Sequence, residues 1–85
     1  MNFATTISVV EGYNLTHEDE LAVSPRYYGY TRQGGAFVIM RKLDTGDGTF
    51  IYEFHCGNNM TDYDTDWTGR LGITYVRAGD LKENR

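Results

Sequence analysis

Apolar and polar residues alternate along much of this chain with a period near two, the spacing of a strand whose successive side chains face opposite ways. Between glycine breaks, β-branched and aromatic residues dominate five stretches: residues 4–10, 27–32, 36–43, 49–56 and 71–77. Each predicts a short strand. One stretch predicts a helix instead: Thr16 can cap a turn that carries Glu18, Asp19 and Glu20 near the positive end of the helix dipole, ahead of Leu21, Ala22 and Val23. Pro25 then pushes Ser24 out of the helical region, so this element ends after about seven residues.

The clearest local feature is a hairpin. Residues 36–43 and 49–56 flank the loop Asp44-Thr45-Gly46-Asp47-Gly48, a composition suited to a five-residue connection. With Leu43 opposite Thr49, one face of the ribbon collects Ala36, Val38, Met40, Phe50, Tyr52, Phe54 and Cys56. The other collects Phe37, Ile39, Arg41, Ile51, Glu53 and His55. The first face is core; the second is half apolar, too much for a face turned wholly to water, and so requires cover from the helix, another strand or a second molecule. The fold expected is all-β or β-dominated α+β, a small curled antiparallel sheet or open barrel of about five strands with one short helix.

Length and composition narrow this picture. At 85 residues the chain makes a single domain, and one Trp, seven Tyr and four Phe against one Pro describe a folded chain with a thin core. No apolar run approaches the about 18 residues needed to cross a bilayer, and Met1 to Glu11 has neither the basic start nor the apolar run of an export signal. The single Cys56 cannot form an internal disulfide, which fits a reducing compartment. The expected setting is cytoplasmic, away from membranes. Twelve acids against eight bases, a net charge of −4, repel a phosphate backbone, so direct nucleic-acid binding is not expected.

Candidate chemistry is sparse. Asp62, Asp64 and Asp66 alternate like the first half of a calcium loop, but Trp67 stands where the loop's glycine belongs and Ile73 where its closing glutamate belongs. The segment reads as a solvated acidic turn, with Trp67 at its end either lidding the core or anchoring an interface. Arg26-Tyr27-Tyr28-Gly29-Tyr30-Thr31-Arg32 interleaves arginine with tyrosine. That composition suits a strand with half-buried rings and also a protein contact, since both residue types are enriched in hot spots. His55, Glu53 and Arg41 share the mixed hairpin face without a nucleophile or pocket beside them, and Arg41 and Glu53 are placed to pair diagonally. No zinc-ligand spacing, phosphate loop or nucleophile elbow occurs, so neither catalysis nor a cofactor is expected.

What remains is a small acidic domain with more rings than so thin a core easily hides. The expected function is non-enzymatic protein binding, with Tyr27, Tyr30, Ile39, Arg41, Ile51, Glu53, Asp62, Asp64, Asp66 and Trp67 as contact residues. The partner is another protein, with a homodimer as a second expectation. Inhibitors and adaptors of this size, including those of phages and mobile elements, supply an analogy. The alternatives are an acidic decoy occupying a nucleic-acid-binding groove and a dimeric β-barrel that holds a small ligand.

Overall fold

A computed structural model describes residues 9–77. Five strands form one antiparallel sheet in the order β1-β2-β3-β4-β5: β1 Asn14–Asp19, β2 Arg26–Thr31, β3 Phe37–Asp44, β4 Phe50–Gly57 and β5 Val76–Arg77. A short helix, α1 (Met60–Thr68), interrupts the meander between β4 and β5. Among the described residues β1 and β5 do not pair with each other, so the sheet is open and no barrel closes. Among the same residues no helix is long and apolar enough to cross a membrane.

The hairpin forms as expected, with a shifted register. Leu43 faces Ile51 and Asp44 faces Phe50, two residues along from the pairing of Leu43 with Thr49. A shift of two preserves which side chains share a face, so the expected sorting survives. The cause lies in the loop, where the Thr45 amide donates to the Thr49 carbonyl at 3.2 Å and Asp47 Oδ1 accepts from both the amide and the hydroxyl of Thr49. Closing the turn on Thr49 leaves Phe50 as the first paired residue. Arg41 and Glu53 consequently sit directly opposite each other, and their side chains pair there.

Four consecutive residues of β3, Phe37 to Met40, are buried, which requires cover on both faces of the sheet. On one face Val38, Met40 and Phe54 are packed by Tyr28, Tyr30, Tyr52 and Cys56, and by Val9, Val10 and Tyr13 arriving from before β1. On the other, Tyr27, Phe37, Ile39 and Tyr75 are packed by Tyr63 and Trp67 of α1 and by Ile73. The mixed hairpin face is therefore covered, and the cover is the chain's own helix.

Three expected elements differ. Residues 16–19 belong to strand β1, and residues 20–25 form a bend without helix. A helix there has no surface on which to bury Leu21 and Val23, and a seven-residue helix without packing does not persist, whereas the edge of β2 offers residues 14–19 a full ladder. Of the first expected strand, residues 4–8 lie outside the described residues, and Val9 and Val10 are helical. The last strand shortens to Val76–Arg77 because residues 69–73 are taken up by the turn that follows α1. The acidic turn at 62–66 lies within α1.

Candidate functional site

Asn59, with an extended backbone, precedes helix α1 and caps it, its side-chain oxygen accepting from the Thr61 amide at 2.8 Å. Asp62 lies in the first turn, where the dipole favours a negative charge. At the other end the Gly69 amide donates to the Thr65 carbonyl, and Arg70 Nη1 donates to the Trp67 carbonyl at 2.8 Å, a side-chain cap in a helix whose last turn has no basic residue. Between these caps, Tyr63 and Trp67 stand four residues apart and face the sheet together.

Two strand glycines make room for rings. A Cβ on Gly29 would run into the Tyr63 hydroxyl, with Trp67 close behind, and a Cβ on Gly57 would run into the Phe37 ring. The bare backbone at Gly29 lets the Tyr63 hydroxyl pass across β2 to β1, where it shares a 2.5 Å hydrogen bond with His17 Nδ1. The His17 ring also stacks on Trp67, with centroids 5.3 Å apart. Burial pushes the Tyr63 hydroxyl up to about 12, with Asp64 adding to the shift.

Arg70 ties the same region together. Its Nε and Nη2 donate to Asp19 Oδ2 at 3.0 and 2.8 Å, and its guanidinium lies 4.5 Å from the centre of the Trp67 ring. Its backbone carbonyl accepts from the Tyr75 hydroxyl at 2.8 Å. Hydrogen bonds from Arg70 hold the Asp19 carboxyl below its ordinary value, helped by the Leu21 amide.

Across the helix, His55 Nε2 lies 2.7 Å from Asp66 Oδ2, and Nδ1 lies 3.1 Å from the Thr74 carbonyl oxygen. Both partners are acceptors. Both ring nitrogens are thus engaged in contacts between β4, α1 and the segment before β5. Beside this pair the Arg41 guanidinium covers the Tyr75 ring at 4.4 Å from its centre. Among the described residues no three side chains of His, Cys, Asp and Glu gather as a metal ion would require. The polar groups around α1 act as ties between helix and sheet.

The expected contact residues fall into three groups. Ile39 is fully buried and Tyr27 nearly so; both lie in the core beneath α1 and are out of a partner's reach in the folded chain. Tyr30, Arg41, Ile51, Glu53, Asp66 and Trp67 are half-buried, with Tyr30 packed on the other sheet face, Asp66 bonded to His55 and Trp67 lidding the core. Asp62 and Asp64 are exposed on α1.

Among the described residues, the most exposed large apolar side chains lie outside that expected set. Leu21 is 98% exposed, Leu71 74% and Val23 73%. The sequence pattern assigns Leu21 and Val23 to a helix and Leu71 to a strand, where each would find cover. The available signal is the trio Leu21-Ala22-Val23, an apolar step between an acidic run and Pro25 with no periodic partner on either side.

The backbone that carries Leu21 and Val23 is pinned at three points. The Leu21 amide donates to Asp19 Oδ1 at 3.3 Å, Arg26 Nε donates to the Ala22 carbonyl at 3.1 Å, and the Asp44 amide donates to Ser24 Oγ at 3.0 Å. Asp19 links this loop to the far exposed leucine as well, since its other oxygen holds Arg70, the residue before Leu71. Glu20, next to Leu21, accepts from the Tyr28 hydroxyl at 2.6 Å; burial and this bond push Tyr28 up to about 12.

Comparison with protein-family models, with curated proteins and with solved structures finds no match to this chain.

Proposed function

We propose that this chain is a small, non-enzymatic protein-binding domain of the inhibitor or adaptor kind, acting in the cytoplasm by covering part of a partner's surface. The observation that carries the reading is the placement of the leftover apolar surface. Both faces of the sheet are packed by the chain's own residues, yet Leu21 and Val23, in the loop that follows Asp19, and Leu71, next to Arg70, stand in solvent. Large apolar side chains held outward beside a fixed ion pair suit a contact surface better than they suit a free monomer. The contact surface is accordingly the rim of the sheet, with the exposed acids Asp62 and Asp64 of α1 as further polar contacts.

An acidic decoy is the weaker reading, because Asp66 and Asp19 are already committed to His55 and Arg70. Salt separates the two. A tagged chain is used to retrieve proteins from a lysate of its source cells at about 50 and about 300 mM salt, and the retained protein is then purified and titrated against the chain. An apolar contact keeps its partner at the higher salt, a decoy releases it, and the absence of any saturable partner removes the protein-binding reading altogether.

A further inference from the structure

Resting on the protein-binding reading, we infer that the loop between β1 and β2 is an anchor that inserts Leu21 and Val23 into an apolar cleft with a basic rim on a partner protein. The loop is pinned by Asp19, Arg26 and the start of the β3–β4 turn, while the two side chains it presents stay mostly in solvent, Leu21 almost wholly. A loop ordered by its own chain loses little freedom on docking, so the apolar area it inserts counts almost fully toward affinity. Leucine and valine on a short projection fit a cleft more closely than a flat surface.

Charge selects the occupant. Glu18, Glu20 and Asp44 surround the loop without an ion-pair partner among the described residues. Asp19 is neutralised by Arg70, while Arg26, whose Nε meets the Ala22 carbonyl, and Lys42, opposite Arg26 in the register, set two positive charges against these three acids. The surroundings are net negative, which calls for lysine or arginine around the cleft. A second copy of this chain would bring the same acids against each other, and an anionic lipid surface would repel them.

The test uses the full chain with a benzophenone photo-crosslinking side chain at position 21, 23 or 33. Gln33 lies in the β2–β3 turn, at the opposite end of the sheet. Irradiation in lysate, followed by peptide mapping, is expected to join positions 21 and 23 to one protein within an apolar site flanked by lysine or arginine, and position 33 to none. Against that protein in purified form, Leu21→Ser with Val23→Ser is expected to weaken binding by about 30-fold or more at an unchanged thermal midpoint. If the double variant binds as tightly as the parent, the anchor is wrong while the protein-binding reading stands. Crosslinks to a second copy of the chain, or sedimentation with phosphatidylcholine–phosphatidylserine vesicles, overturn the choice of occupant. If no position yields a crosslink and no protein is retained, both the anchor and the reading beneath it fall.

Discussion

The Tyr63 hydroxyl lies over Gly29, in the space a side chain at that strand position would fill. This fixes how closely α1 approaches the sheet, because Tyr63 is its fully buried residue and reaches His17 only by crossing a bare backbone. Gly29→Ala is therefore expected to destabilise the chain by about 1–3 kcal/mol, the usual range for overpacking. Tyr63→Phe removes the atom that collides. In a double-mutant cycle read by urea denaturation, alanine at position 29 should cost less in the Tyr63→Phe background than in the parent. Equal costs would place the strain elsewhere, in the Trp67 ring or the strand backbone.

Asp19 sets an acid-side dependence. Its carboxyl is held below its ordinary value by Arg70, so the unfolded chain takes up a proton at this site before the folded chain does. The stabilisation is fully present above the unfolded value of about 3.9 and is lost as pH falls through the lower, folded value. Thermal midpoints measured from pH 6 downward are expected to fall less steeply for Asp19→Asn than for the parent. Parallel curves would show that the ion pair contributes nothing to acid sensitivity.

An alkaline limb follows from the tyrosines. Tyr63 and Tyr28 are both pushed up to about 12, chiefly by burial. In the unfolded chain these hydroxyls ionise near about 10, so the unfolded state loses protons first and stability declines as pH rises from about 10 toward about 12. Tyr63→Phe should flatten part of that decline, measured by denaturant titration at stepped pH. Ultraviolet difference spectra of the parent should show both of these tyrosines ionising late, one of which disappears in the variant.

The strands were legible where alternation and a turn coincide. Residues 27–32, 36–43 and 49–56 match β2, β3 and β4 within a residue or so at each end, because glycine and aspartate at 44–48 punctuate two strongly patterned runs. Strand β1 was not legible. Its six residues, Asn-Leu-Thr-His-Glu-Asp, are almost all exposed and carry helix-capping signals; they become a strand through pairing with β2, a tertiary cause. Helix α1 was hidden for the opposite reason. Asp, Thr and Asn give it weak helical propensity, and its apolar content is concentrated in Tyr63 and Trp67, so its stability comes from capping by Asn59 and Arg70 and from docking. The need for cover over the mixed hairpin face was readable from Phe37 and Ile39, but not which segment supplies it. The exposed loop at 20–25 was not legible because an apolar trio reads as something to bury, and only the fold shows that nothing buries it.

Arg70 joins β1 to α1 through three contacts of one side chain. Nε and Nη2 hold Asp19 at the end of β1, Nη1 closes the C-terminus of α1 at the Trp67 carbonyl, and the guanidinium plane lies against the Trp67 ring. A lysine keeps the charge but has one nitrogen in place of three, so it cannot grip Asp19 through two nitrogens while a third reaches the Trp67 carbonyl, and it stacks poorly on the indole. Arg70→Lys is thus expected to cost about 1–2 kcal/mol, close to the cost of Arg70→Ala, in place of the near-neutral result of a surface charge swap. Chemical denaturation gives the magnitude, and Trp67 fluorescence gives the local reading, since an indole released from the guanidinium and from His17 should shift its emission to the red. A lysine variant as stable as the parent would reduce Arg70 to a simple charge and leave α1 held by Tyr63 and the His55–Asp66 pair.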